Sequence, residues 1–253
     1  MELHVGTSGF SYKEWKGSFY PEDLPAKRML AFYAERLGSV EINNTFYRLP
    51  KASVLESWAE QVPETFRFVI KASRRITHFK RLKEAGDETA YLVETVGALG
   101  EKLGCLLFQL PPNLKLDLSR LDAFLCLLPA NMPAAFEFRH PSWACAEVFE
   151  RLRADDRAWV GVDSEDAPLE ELVRTAGWGY LRLRGTDYAD AAVADWAARI
   201  QEPDWQEAFV FFKHEDEGAA PRLATALAEQ LAGAPQPPKV RPARRARARR
   251  ETA

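Results

Sequence analysis

Three short stretches of this chain place charged or amide side chains two residues apart, the spacing that sends both to one side of a β-strand. Glu137-Phe138-Arg139, followed by His140-Pro141-Ser142-Trp143, sets a carboxylate beside a guanidinium. A neighbouring cation keeps a carboxylate ionised, which suits a proton acceptor better than a donor. The arginine is equally fit to grip a phosphate or carboxylate through two parallel N–H bonds. Arg182-Leu183-Arg184 sets two guanidinium groups on one side. Like charges so close call for an anion near them: Glu137, Asp163 or a ligand. Glu41-Ile42-Asn43-Asn44 adds a carboxylate and two amides able to bond hydroxyl groups.

From these residue types we expect acid–base chemistry on a small anionic, phosphorylated and sugar-like molecule. Glu137, Glu41 and Asp163 are the candidate catalytic groups. Lys71, Arg139, Arg182, Arg184, Lys213, Asn43, Asn44, Gln109, His140 and Trp143 are the candidates for holding the substrate. Lys71 or Lys213, its basicity lowered by neighbouring cations, is also a candidate Schiff-base lysine. Plainer readings stand beside these. Trp143 at a helix start suits packing better than stacking on a sugar. The amides of Asn43 and Asn44 suit a loop tied to its own backbone. The charges suit an ion-pair network that only fills an interior.

The elements that must position these groups follow from periodicity. Eight short apolar runs read as strands: Leu3–Ser8, Val40–Asn43, Phe66–Ala72, Cys105–Leu110, Ala135–Arg139, Trp159–Asp163, Tyr180–Arg184 and Phe209–Lys213. Stretches of helical period separate them. Met29, Tyr33 and Leu37 share a face, as do Leu92, Val96, Leu99 and Leu103, then Leu118, Leu121, Leu125 and Leu128, and finally Leu223, Leu227 and Leu231. Gly38 and Gly104 are the expected stops of the first two. Between Asp163 and Trp178 a short helix is expected. Strands alternating with helices pair in parallel. Eight units in a chain of 253 residues predict an α/β fold, a closed (β/α)₈ TIM-type barrel, over residues 1–233. A doubly wound open sheet is the rival, but Gly6-Thr7-Ser8-Gly9 lacks its phosphate-loop pattern.

In such a barrel the uniformly apolar side of each strand meets the helices. Val40 and Ile42, Phe136 and Phe138, and Leu181 and Leu183 then face outward. Glu41, Asn43, Glu137, Arg139, Arg182 and Arg184 face the lumen. Lys71, Gln109, Asp163, Lys213, His4, Gly6 and Ser8 are placed inward by the same rule. Most of the polar inward residues fall at the C-terminal strand ends, where these barrels carry their active sites. Five cations there face three anions.

That surplus contrasts with the rest of the chain. The formal net charge is −3. From Pro235 on, seven cations and one anion give +6, which leaves −9 for the body. The Arg-, Pro- and Ala-rich segment 234–253 is expected to be disordered. With the cationic mouth it makes nucleic acid the alternative partner, in phosphodiester binding or processing. The acidic body and a calculated pI of about 5.9 weigh against that reading. A ligand- or protein-binding barrel without chemistry is the third reading.

Hydrophobic content is 47% and charged content 28%, a composition for a packed core. No apolar run reaches the ~18–20 residues of a membrane span. The start has no signal-peptide pattern, and three scattered cysteines point to a reduced, cytoplasmic protein without a membrane partner. No cofactor is expected. The four histidines (His4, His78, His140 and His214) form no metal motif, although a divalent metal is compatible with ligands scattered around a barrel. The aromatics after the first strand, Phe10, Tyr12, Trp15, Phe19 and Tyr20, suit a folded-over loop packed on the body better than a lid.

Several stretches in combination resemble a known family, the YecE-like proteins of domain-of-unknown-function family 72. They are Val5-Gly6-Thr7-Ser8-Gly9-Phe10-Ser11-Tyr12, Trp15 to Pro21, and Val40 to Tyr47. Phe66 to His78, Phe108-Gln109-Leu110-Pro111-Pro112 and Phe136 to Trp143 continue the likeness. The resemblance spans residues 1 to about 232 and implies a TIM-type barrel. It implies no activity, since none is established for the family. At two places the chain departs from the family pattern. Arg184 stands where the resemblance would put a histidine, and Lys213-His214 where it would put an asparagine pair. Both changes make the mouth more cationic.

Overall fold

The computed structural model describes residues 1–185, 188–213 and 218–233. The expected disordered segment 234–253 and His214 lie outside the described residues. Eight strands form a closed parallel barrel in chain order. They are β1 (Glu2–Ser8), β2 (Ser39–Ile42), β3 (Arg67–Lys71), β4 (Leu103–Gln109), β5 (Ala134–Glu137), β6 (Ala158–Asp163), β7 (Trp178–Leu183) and β8 (Glu207–Phe212). Closure is made by β8 against β1, from Glu2 opposite Glu207 to Thr7 opposite Phe212. Each expected strand is present, with its ends shifted by a residue or two.

Among the described residues six α-helices link the strands and a seventh follows β8. These are α1 (Met29–Ala34), α2 (Ala52–Glu60), α3 (Gly86–Val96), α4 (Leu118–Leu125), α5 (Ala146–Ala154), α6 (Asp190–Gln201) and α7 (Ala219–Gly233). The short helix expected between β6 and β7 is absent. An extended strap, residues 164–177, runs there instead, and side chains satisfy its backbone laterally. Asp163 Oδ1 accepts from Leu169 N at 2.9 Å, and Arg199 Nη2 donates to the carbonyls of Leu169 and Glu170. Thr175 Oγ1 accepts from Trp159 N and donates to Arg157 O. With its backbone groups paired sideways, the strap has no need of a helical ladder. It also lies close to the sheet: a Cβ on Gly161 would meet Leu169 Cδ2 at 2.8 Å, so a larger residue there would have to displace that side chain.

Gly104 also plays a different part from the one expected. The α-helix before β4 ends at Val96 and runs on as 3-10 turns over Gly97–Lys102, and Gly104 lies inside the strand. Phe68 pairs with Leu103 and Val69 with Cys105, so Gly104 is the extra residue of a bulge. A Cβ on it would meet the Phe209 ring at 2.7 Å.

Two cores result. The outer one lies between strands and helices. In it Phe108 stacks on Phe136 at 5.3 Å, and Phe124 of α4 meets both rings. The aromatic loop after β1 joins this core: Trp15 and Tyr20 are buried, and Phe19 packs edge-on against Phe32 and Tyr33. The second core fills the lumen with Val69, Cys105, Leu107, Val160, Tyr180, Phe209 and Phe211 among others. His4 stacks on Phe209 near its base and bonds Glu207 at 2.8 Å. The barrel is therefore packed from the bottom up, and its polar chemistry is confined to the top. No helix among the described residues is long and apolar enough to cross a membrane.

Candidate functional site

The inward side chains at the C-terminal ends of β2, β3, β4, β5 and β7 meet in one charged tier above the apolar lumen. Arg182 is its centre. Nη2 donates to Glu41 Oε1 at 2.8 Å and Nη1 to Glu137 Oε2 at 2.6 Å. Glu41 also accepts from Ser8 Oγ at 2.7 Å, Asn43 Nδ2 at 2.9 Å and Tyr180 OH at 2.6 Å. Glu137 Oε1 accepts from Gln109 Nε2 at 2.8 Å, and Gln109 Oε1 accepts from Lys71 Nζ at 2.8 Å. Glu41, Glu137 and Arg182 are buried to within 2% of full burial.

Such an arrangement sets the charge states. Burial alone would raise the pKa of Glu41. The Arg182 charge, with the bonds from Tyr180 and Ser8, overcomes that and holds it at about 2. Glu137 feels the same opposition of burial and Arg182, with help from Gln109, and is also lowered. Lys71 goes the other way: burial, then the Arg182 charge, brings it down to about 8 against the pull of Glu41 and Glu137.

Around this tier lies a looser rim. Arg139 is 42% exposed and reaches Glu137 Oε1 only at 4.0 Å. Arg184 is half-buried and makes no side-chain hydrogen bond or ion pair among the described residues. Burial and the Arg182 charge lower its pKa. Lys213 is half-buried at the end of β8, near enough for its charge to act on Lys71. Phe46, in the turn after β2, lies under Lys71 Nζ at 4.6 Å and edge-on to His78 at 4.8 Å. His78 has its pKa lowered by burial and then by Lys71, Arg139 and Arg81.

Two expected members are elsewhere. Asp163 points away from the lumen, where it accepts from Leu169 N and from Tyr188 OH at 2.6 Å. Val160 and Val162 take the inward positions of β6 because they pack on the lumen core, which turns the next residue out. Trp143 is fully buried, stacks on Phe138 at 4.7 Å and donates Nε1–H to Leu114 O at 2.7 Å, so no substrate can stack on it. Trp143→Ala should cost about 3–5 kcal/mol in urea unfolding and leave anion affinity unchanged. A change in anion affinity at unchanged stability would put the indole at the site after all.

His140 is committed locally. Its Nδ1 accepts from Ser142 N at 3.2 Å and pairs with Ser142 Oγ, capping the turn that starts at Pro141. Asn44 is exposed and lines a shallow groove of about 450 Å³ with Arg48 and Lys51, outside the tier. The alternation rule could have found Tyr180, two residues before Arg182. Phe46 and His78 come from loops that fold back over the mouth, which no period reveals. Among the described residues, no group of three or more His, Cys, Asp or Glu is placed to hold a metal ion.

Fold and site together define a parallel eight-stranded barrel whose mouth is a buried arginine–carboxylate tier with a cationic rim. The family model described as "Protein of unknown function DUF72" matches residues 4–247, so the chain belongs to the DUF72 family. It is 28% identical over 169 residues to the UPF0759 protein YunF of Bacillus subtilis, covering 62% of this chain and 58% of that protein. It is 33% identical over 112 residues to the UPF0759 protein YecE of Escherichia coli K12, covering 44% and 41%. The chain thus spans about half the length of the curated relatives it matches. The crystal structure of a DUF72 protein from Thermotoga maritima superposes with a TM-score of 0.78 at 25% identity, over 92% of this chain and 100% of that one. One from Enterococcus faecalis does so at 0.75 and 19% identity, over 94% and 100%, a likeness of fold.

Proposed function

We propose that the barrel mouth is an active site for a small anionic, hydroxylated molecule of the sugar-phosphate kind, and that Lys71 is the group that moves the proton. The supporting observation is Lys71 itself: an amine 8% exposed, brought to a pKa of about 8, on the end of a barrel strand. Proton transfer is most effective when the catalytic pKa lies near the working pH. Glu41 and Glu137 are less suited, because the bonds that hold them ionised also occupy their oxygens. Their part is to fix Arg182 and, through Gln109, Lys71. Arg139 and Arg184 would grip the anion, with Lys213 adding charge and Asn43 at the edge for hydroxyl groups. This chemistry calls for no cofactor.

Calorimetry with inorganic phosphate and glycerol 3-phosphate tests the reading. Each charge-assisted bond contributes about 1.5–3 kcal/mol, so Arg139→Ala or Arg184→Ala should weaken binding roughly 10- to 100-fold. Equal affinity in wild type and both variants would remove the rim from the site. Oligonucleotide binding with a steep salt slope, in the absence of phosphate binding, would favour a nucleic-acid partner instead.

A further inference from the structure

We infer that Lys71 is a nucleophile, condensing through Nζ with the carbonyl carbon of a small anionic aldehyde or ketone held at the mouth to form an imine. The inference rests on the anion-binding part of the reading above; it gives the amine a covalent part in place of proton transfer alone and adds the functional group that the substrate must carry.

Three features of the geometry point to it. First, Lys71 is buried without an ion-pair partner among the described residues; its Nζ meets Gln109 Oε1 and the Phe46 ring. A lysine kept charged for structure is normally given a carboxylate, and here both nearby carboxylates are bonded to Arg182. Second, the orientation of Gln109 is determined. Glu137 can only accept, so the amide nitrogen must face it and the amide oxygen must face Lys71. An amide oxygen accepts an N–H from an ammonium group more strongly than from a neutral amine, but it can accept from either and, unlike a carboxylate, brings no charge that fixes the extra proton. It therefore holds Nζ in place when the amine is neutral, with the lone pair left to point elsewhere. Third, the backbone that carries the side chain is anchored. The Lys71 main-chain carbonyl accepts from Thr45 Oγ1 at 2.7 Å, at the last residue of β3. The lowered basicity of the amine agrees with these features, since a nucleophilic lysine must be neutral part of the time.

The step balances without an oxidant or reductant. The Nζ lone pair attacks the carbonyl carbon and forms the C–N bond. The C=O π pair moves to oxygen, which takes the proton that leaves nitrogen, giving a carbinolamine. A second proton from solvent converts that hydroxyl to water, the C–O bond breaks, and a protonated imine remains. Its positive charge lies where the ammonium charge lay, over the Phe46 ring and within the field of Glu41 and Glu137. The imine withdraws electrons from the adjacent carbon, so the reactions it serves make or break a bond there.

Borohydride trapping decides the matter. The full chain is incubated with glyceraldehyde 3-phosphate, reduced with sodium borohydride, digested and mapped by mass spectrometry. Glycerol 3-phosphate, which has no carbonyl, serves as competitor and, by calorimetry, as the anion probe. The expected result is one dominant reduced adduct on the peptide carrying Lys71, suppressed by glycerol 3-phosphate and absent in Lys71→Arg. Because the site is mapped in the wild type, a misfolded variant would not obscure the answer. No adduct at Lys71 while glycerol 3-phosphate binds would overturn the imine and leave the anion reading standing. Adducts spread over surface lysines without preference would overturn it too. An adduct at Lys71 without measurable glycerol 3-phosphate binding would keep the imine and overturn the anion reading. Neither binding nor adduct would overturn both.

Discussion

Arg182→Met should destabilise the protein by about 3–5 kcal/mol, the usual cost of removing one member of a buried ion network. For a chain of this size that lowers the thermal midpoint on the order of 10 °C. The cause is the state of the survivors, more than the loss of attraction. Glu41 and Glu137 are both buried, and each loses the charge that held it ionised. Replacing all three residues together (Glu41→Gln, Glu137→Gln and Arg182→Met) should recover much of the loss, because no buried carboxylate is then left without its cation, and Lys71, which loses the pull of both carboxylates, can shed its proton. Urea unfolding of the three proteins, wild type, single variant and triple variant, measures both effects. A loss below about 1 kcal/mol for the single variant, the level of an exposed pair, would show that water reaches the tier.

Acid should unfold the protein through the same residues. Glu41 has an ordinary pKa of 4.5 and is held at about 2 in the folded state. The unfolded chain therefore takes up a proton first as pH falls. The stability contributed by this group is complete above pH 4.5 and is lost as pH falls through about 2. At one pK unit per 1.36 kcal/mol, Glu41 alone accounts for about 3 kcal/mol. Glu137, shifted in the same direction, adds to it. Urea midpoints between pH 7 and 3 should drop more steeply in the wild type than in the triple variant. Parallel slopes would mean that the tier does not hold its carboxylates ionised.

The parts of this architecture that obey a period could be read in the sequence. Eight apolar runs gave the barrel, and alternation along β2, β5 and β7 put Glu41, Glu137 and Arg182 in one lumen. Alternation failed at β6, where Val160-Gly161-Val162 is apolar on both faces and carries no sign of which way Asp163 turns. Packing against the lumen core decided it. Trp143 was equally silent: an indole beside arginine and histidine suits a sugar site or a core, and only the carbonyl of Leu114 shows which. The strap between β6 and β7 escaped because its bonds come from Arg199 and Thr175, both outside any local pattern. The division of labour in the tier was also out of reach. A count of five cations and three anions does not tell that the carboxylates are taken by Arg182 and that Lys71 is left with an amide.

That strap bears on how the ring comes apart. Elsewhere a full crossover helix covers each junction between strands, and its amides exchange with solvent only when a whole packed unit lifts away. At β6–β7 the cover is a single extended ribbon, with side chains of Asp163, Thr175 and Arg199 as its stitches. Its apolar hold on the barrel rests on the partly buried Leu169 and Leu172 and the buried Ala176. Deuterium should therefore enter β6 ahead of the other strands, which makes this junction the seam of the barrel. It also lies across the lumen wall from β2 and β3, which carry Glu41 and Lys71, so the wall nearest the amine can stay shut while the far side breathes.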